Sequence, residues 1–178
     1  MIKNRLFGYA IFSALICLCL TACINTPQPT SYTIYLTRHF EKVSDVPDPD
    51  LTAKGQKQAE IFVSLLDNKP ITAIYSTNYK RTMQSAIPLA NTLNLTVQNY
   101  DPRTPEAIIA KVTNEQTAQV IVGHSNTIPD LVRRLGGQAQ DLAESDYGLV
   151  FAVTITLLEG QRIKTETRKM LLLDKVTG

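Results

Sequence analysis

SYTIYLTRH, residues 31–39, sets β-branched and aromatic residues in a row and ends them on an arginine and a histidine. A run of that composition reads as a β-strand over 31–37 whose carboxyl end presents Arg38 and His39. Downstream, strand and helix signals keep alternating. After a polar loop at 41–50 containing Pro47 and Pro49, Thr52 caps a helix running to about Asn68, with Ala59, Phe62, Leu65 and Leu66 on one face. A strand at Ile71–Tyr75 follows, then a helix from Tyr79 to about Leu93 in which Pro88 should force an early end or a kink. A short strand at Leu95–Gln98, a helix from Thr104 to about Val112 with Pro105 in its first turn, and the apolar strand QVIV at 119–122 come next. Gly123-His124-Ser125-Asn126 leads into a helix through Leu135, closed by Gly136-Gly137. Residues 148–158 and 162–172 flank Glu159-Gly160-Gln161 and read as a closing hairpin. Such alternation predicts a layered α/β domain with its reactive residues at the carboxyl ends of strands.

Ahead of this domain, Lys3 and Arg5 precede an uncharged, mostly apolar run from Leu6 to Leu20. A membrane span needs about 20 residues, so the shorter run reads as the core of a signal peptide. Leu20-Thr21-Ala22-Cys23 resembles the lipobox of bacterial lipoproteins. That resemblance implies a signal peptide at 1–22, an acylated Cys23 and a lipidated tether over 23–31, with the domain at 32–178. Ile24 rather than Asp follows the cysteine, which for such lipoproteins favours the outer membrane with the domain facing the periplasm. Cys17 and Cys19 leave with the signal and lipid consumes Cys23, so disulfides, thiolate catalysis and cysteine metal ligands drop out together. All 16 acidic residues lie after residue 22, whereas two of the 18 basic residues lie before it, so the mature chain is balanced in charge. With no basic excess, nucleic acid is not an expected partner.

Three strand ends carry the chemistry. Arg38 and His39 follow the first strand, Arg81 lies just after the second in Ser76-Thr77-Asn78-Tyr79-Lys80-Arg81-Thr82, and His124 follows QVIV. In an open α/β sheet these ends meet at one crevice. Guanidinium groups present forks of donors matched to phosphate oxygens and stay charged at any working pH. The helix after Ser125-Asn126-Thr127 would aim backbone N–H groups at the same place, with Ser125 as helix cap or phosphate contact. Two arginines and two histidines thus make a dianion pocket in which one imidazole can be the nucleophile, and the neighbouring charges should lower its pKa. Ser125 lacks the flanking glycines of a nucleophile elbow. No metal ligand set is expected: the two histidines lie on different segments, and Pro47 and Pro49 break up the Asp45, Asp48, Asp50 spacing.

These residues resemble the histidine phosphatase superfamily, also called phosphoglycerate mutase-like. Thr37-Arg38-His39-Phe40-Glu41-Lys42 is similar to the Arg-His-Ala-Glu-Lys form of its signature. Three further segments agree in order and spacing: Leu51-Thr52-Ala53-Lys54-Gly55, Ile74-Tyr75-Ser76-Thr77 through Arg81-Thr82 with Gln84-Ser85-Ala86, and Gly123-His124-Ser125-Asn126-Thr127. The resemblance implies a three-layer αβα sandwich with a mostly parallel central sheet and a covalent phosphohistidine on His39. Arg38, Arg81 and His124 would hold the phosphoryl oxygens, Ser125 and Asn126 would add substrate contacts, and no metal or other cofactor would be required.

Two departures from that pattern matter. Phe40 stands where Gly or Ala is usual, so its ring is expected beside the nucleophile, narrowing the pocket mouth, shifting the loop or stacking on an aromatic leaving group. The acid that protonates the leaving oxygen is not fixed by a motif; Asp101 is the leading candidate after the third strand, with Glu106 and Glu41 as rivals. The expected activity is a phosphatase acting on phosphorylated small molecules or phosphoproteins. A phosphomutase and a non-catalytic envelope lipoprotein that binds phosphorylated ligands are the alternatives.

Overall fold

A computed structural model describes residues 26–44 and 46–172. The segment expected to be a signal peptide (1–22), the expected lipidation site Cys23 and the first part of the expected tether lie outside the described residues. Ten elements follow in order: β1 (Thr30–Arg38), α1 (Ala53–Leu66), β2 (Ile71–Ser76), α2 (Lys80–Leu93), β3 (Val97–Asn99), α3 (Pro105–Glu115), β4 (Ala118–Gly123), α4 (Ile128–Arg134), β5 (Leu149–Leu158) and β6 (Gln161–Leu171). They build one six-stranded sheet in the order β3-β2-β4-β1-β5-β6. The first four strands in that order run parallel, and β5 and β6 are antiparallel additions at one end.

The period-2 alternation of the strands divides the core between two faces. Ile34, Leu36, Ile121, Phe151 and Val153 point to one side, where they pack on Ile108 and Val112 of α3 and Leu131 and Val132 of α4. Tyr35, Val120, Val122, Val150 and Ala152 point to the other, against Ala59, Phe62 and Leu66 of α1 and Ala86, Leu89 and Ala90 of α2. The result is the three-layer αβα sandwich with a mostly parallel sheet. β1 begins at Thr30, so the last two residues of the segment expected to be a tether are strand.

Several local expectations are sharpened. Thr52 caps α1 by accepting from Gly55 N at 3.0 Å. Pro88 does not end α2 early: the helix runs through it to Leu93, with Ala86, Leu89 and Ala90 around it buried and holding the last turns in place. The helix stops instead at Asn94, in the left-handed conformation, which shortens β3 to three residues. Gly136, with φ +85°, closes α4 as its N–H meets Arg133 O at 2.9 Å. The turn between β5 and β6 is Glu159-Gly160, both left-handed.

One register decides where the site forms. β1 and β4 are neighbours in the sheet but distant in sequence, and Arg38 pairs with Gly123. Beyond β1, His39 N donates to Gly123 O at 2.9 Å. With α1 and α2 on one face and α3 and α4 on the other, the chain changes face at this point, where an open α/β sheet forms its crevice.

Candidate active site

His39 and His124 leave adjacent strand ends and meet edge to face, with ring centroids 5.7 Å apart. His39 is buried, and its Nδ1 lies 2.9 Å from the carbonyl oxygen of Phe40. A carbonyl can only accept, so Nδ1 carries the hydrogen and Nε2 keeps the lone pair. Burial is the main force lowering the His39 pKa to about 3, with Arg38, His124 and Arg81 adding repulsion and the Phe40 carbonyl opposing them. The ring is therefore neutral at any ordinary pH.

His124 is set by a chain of hydroxyls. Its Nε2 lies 2.9 Å from Thr77 Oγ, which lies 3.0 Å from Thr82 Oγ. The Thr82 hydroxyl donates to Thr77 O at 2.8 Å, so Thr77 donates to Thr82 and is left to accept from His124 Nε2–H. Nδ1 is then the lone-pair nitrogen, and the donor Arg81 Nη2 stands 3.5 Å from it. Burial and the charges of Arg81 and Arg38 hold the His124 pKa down at about 4, against a smaller upward pull from Glu144.

Each arginine is built in the same way, on a tyrosine and beside a carboxylate. The Arg38 guanidinium sits 4.3 Å above the Tyr147 ring. Its Nη1 donates to Ala143 O and Glu144 O, both at 2.9 Å, and its Nη2 to Glu144 Oε2 at 2.7 Å. The Arg81 guanidinium sits 4.6 Å above the Tyr79 ring and 3.6 Å from Asp48 Oδ1. Asp48 also accepts from Lys80 N at 2.9 Å, capping α2 across a loop that the sequence marked only as polar. The Nε of both arginines is buried and makes no hydrogen bond. Buried, unsatisfied donors on two fixed cations beside two neutral imidazoles suit an oxyanion.

Not every expected residue joins this group. Ser125 is not the cap of α4, which begins beyond Thr127; its hydroxyl donates to Glu144 Oε1 at 2.9 Å. Asn126 is exposed and lines a separate cavity of about 210 Å³ with Tyr100, Pro102, Pro105, Asp130 and Leu131. Phe40 is not at the mouth. Its ring is fully buried, edge to face with Phe62 at 5.5 Å, because the strand end turns it under α1 where core burial outweighs exposure. Its backbone N–H donates to Ser85 Oγ at 2.9 Å, which pins the residue after His39 to α2.

The three carboxylates read as candidate acids are engaged elsewhere. Asp101 takes a forked contact from Arg103, at 2.7 Å from Nη2 and 2.9 Å from Nε, which pulls its pKa well below the usual carboxylate range. Glu106 pairs with Arg134 at 2.8 Å. Glu41 accepts from Thr52 Oγ at 3.0 Å and pairs with Lys54, not with the adjacent Lys42, at 3.1 Å. The carboxylate that does reach the site is Glu144, in the loop between α4 and β5. No motif marks it; the one signal is the polar cluster Glu144-Ser145-Asp146-Tyr147 just ahead of a strand.

Residues 34–107 match the histidine phosphatase superfamily (branch 1). The matched segment holds Arg38, His39 and Arg81, and His124 lies beyond it. Phosphoserine phosphatase 1 of Hydrogenobacter thermophilus is 33% identical over 75 residues, a stretch that spans 38% of this chain and 36% of that protein. Among solved structures, the protein histidine phosphatase SixA complexed with tungstate has the same fold, with a TM-score of 0.62 at 15% identity over 79% of this chain and 97% of that one. A mycobacterial glucosyl-3-phosphoglycerate phosphatase gives a TM-score of 0.59 at 12% identity, covering 80% of this chain and 98% of its own. The matched segment, which is less than half of the chain, is similar to the histidine phosphatase superfamily (branch 1), and the described domain shares the fold of these solved phosphatases.

Proposed function

We propose that this protein is a metal-independent phosphatase that hydrolyses phosphomonoesters, or a related phosphoryl group, through a phosphohistidine on His39. The observation that carries the reading is the Nδ1 contact to the Phe40 carbonyl at 2.9 Å, which leaves Nε2 as a neutral nucleophile among two arginines and a second histidine. Nε2 attacks phosphorus, the bond to the leaving oxygen breaks, and the Phe40 carbonyl steadies the positive charge that the ring gains. Arg38 and Arg81 offer donors to the phosphoryl oxygens. His124 joins them as an imidazolium once the dianion raises its pKa. Water then cleaves the N–P bond, releases phosphate and restores His39.

The named relatives act on phosphomonoesters and on a protein phosphohistidine, which supports this substrate class. Burial of Phe40 keeps its ring away from the pocket mouth, which supports an open site. We further propose that Cys23 carries lipid and tethers the domain to the outer membrane, facing the periplasm. Rapid quench with 4-nitrophenyl phosphate tests the chemistry: an acid-labile, base-stable adduct should map to His39, and His39→Ala should abolish adduct and turnover while still binding phosphate. An adduct on another residue, or turnover surviving in His39→Ala, overturns the reading.

A further inference from the structure

The two groups that hold the Glu144 carboxylate, Arg38 Nη2 at 2.7 Å and Ser125 Oγ at 2.9 Å, are donors that a phosphoryl group in this pocket would itself engage. In the free protein the carboxylate therefore stands where a substrate oxyanion would stand. We propose that Glu144 is the acid and base of the phosphoryl transfer: the arriving phosphoryl group displaces its carboxylate from Arg38 and Ser125, and Glu144, now protonated, donates to the leaving oxygen. The proposal rests on the phosphohistidine reading above and names the residue that completes it.

Placement supports the assignment first. Asp101, Glu106 and Glu41 are bound to Arg103, Arg134, and Thr52 with Lys54. Asp48 approaches Arg81, but the same oxygen is fixed as the cap on Lys80 N. Glu144 alone among the described carboxylates accepts from both Arg38 and Ser125.

Its backbone and side chain are held differently. Arg38 Nη1 grips the carbonyls of Ala143 and Glu144, and Asp146 closes the turn by accepting from Ala143 N at 2.8 Å. Tyr147 lies under the guanidinium. The loop is thus anchored to the arginine that precedes the nucleophile, yet the Glu144 side chain is 77% exposed. Side-chain rotation alone can release the carboxylate and keep it at the mouth.

Exchange of partners also supplies the proton. In the free site the Ser125 hydrogen bond and the Arg38 charge lower the Glu144 pKa, with a smaller contribution from Lys42. A dianion that takes over Ser125 and Arg38 removes the first two and adds a negative neighbour, so the carboxyl takes up a proton from solvent as substrate binds. The charged and titratable groups around it are Arg38, Lys42, His124 and the nearby Asp146 and Tyr147. In the first step the His39 Nε2–P bond forms, the P–O bond breaks, and the Glu144 proton goes to the leaving oxygen to give an alcohol. In the second step the Glu144 carboxylate takes a proton from water as that water's oxygen bonds to phosphorus and the N–P bond breaks.

The experiment compares ethyl phosphate, whose leaving oxygen needs a proton, with 4-nitrophenyl phosphate, whose leaving group scarcely does. Formation of phosphohistidine on His39 is followed by rapid quench. In Glu144→Gln, phosphorylation by ethyl phosphate should fall about 100- to 10,000-fold, while phosphorylation by 4-nitrophenyl phosphate should fall less than about tenfold. The phosphohistidine should accumulate with the aryl substrate because the base for its hydrolysis is gone. The alkaline limb of the ethyl phosphate pH profile should vanish, and Glu144→Asp should restore part of the rate. Equal losses on both substrates would make Glu144 only a holder of Arg38 and overturn the proposal; unchanged rates would overturn it as well. Wild-type protein that forms no phosphohistidine overturns the phosphatase reading, and the proposal falls with it.

Discussion

Thr77→Val isolates the hydroxyl chain that sets the ring of His124. Valine matches threonine in shape, and Thr77 is fully buried, so packing is preserved while one acceptor disappears. His124 Nε2–H, 2.9 Å from the lost oxygen, then points at a methyl group. The ring cannot escape by moving its hydrogen to Nδ1, because the donor Arg81 Nη2 waits 3.5 Å away on that side. Thr82 keeps its bonds to Thr77 O and Tyr79 O, so the damage stays with the histidine. A buried donor left unsatisfied costs about 1–3 kcal/mol, which corresponds to about 5- to 150-fold if the transition state needs the same ring position. The assay is kcat/KM on 4-nitrophenyl phosphate beside a urea melt. We expect a loss within that range and a lower urea midpoint; kcat/KM within twofold of wild type would show that the chain does not hold His124.

Three further outcomes are expected. The histidines bind protons at about 3 and 4 in the fold and at about 6.5 in the unfolded chain, so the unfolded chain is protonated first as pH falls. Their contribution to stability is complete above about pH 6.5 and is lost toward pH 4, with a slope of up to about 1.4 kcal/mol per pH unit for each ring; a urea midpoint that stays flat from pH 7 to about pH 4.5 refutes this. In Gly55→Ala the new methyl would overlap the Glu41 carbonyl oxygen, a backbone atom that also accepts from Thr52 N at 2.9 Å. A loss of about 1–3 kcal/mol in urea unfolding is expected, and an unchanged midpoint would count against the close approach. Cys23→Ser should leave the protein unprocessed and free of lipid; normal processing with retention in the detergent phase would remove the anchor.

Much of this architecture was legible because its signals are local. The composition of SYTIYLT and QVIV, the helical spacing of Ala59, Phe62 and Leu66, and the turn at Glu159-Gly160 each depend on near neighbours in sequence. Arg38, His39, Arg81 and His124 were legible for a related reason, since strand ends in such a sheet share a crevice. What stayed hidden depends on contacts between distant segments. Phe40 reads as a mouth residue until the turn after β1 is known to carry it beneath α1. Pro88 reads as a breaker until the burial of Leu89 and Ala90 is known to hold the helix together. Arg103 stands two residues from Asp101 and could have been read as its partner from the sequence, whereas nothing near Glu144 pointed to Arg38, because a loop of polar residues has no period to betray a partner 106 positions away.

The bond from His39 N to Gly123 O has a consequence for how the protein comes into being. No single element of the chain contains the pocket: His39 arrives with β1, Arg81 with α2 and His124 with β4. Parallel pairing of strands so far apart in sequence carries a large loop-closure cost and belongs to the late part of folding. An emerging or partly folded chain therefore carries the four side chains scattered and chemically ordinary, the two histidines with the pKa of a solvated imidazole. The pocket exists only when the topology is complete, so the lowered pKa values of the two histidines are themselves a report that the sheet has closed in the right order.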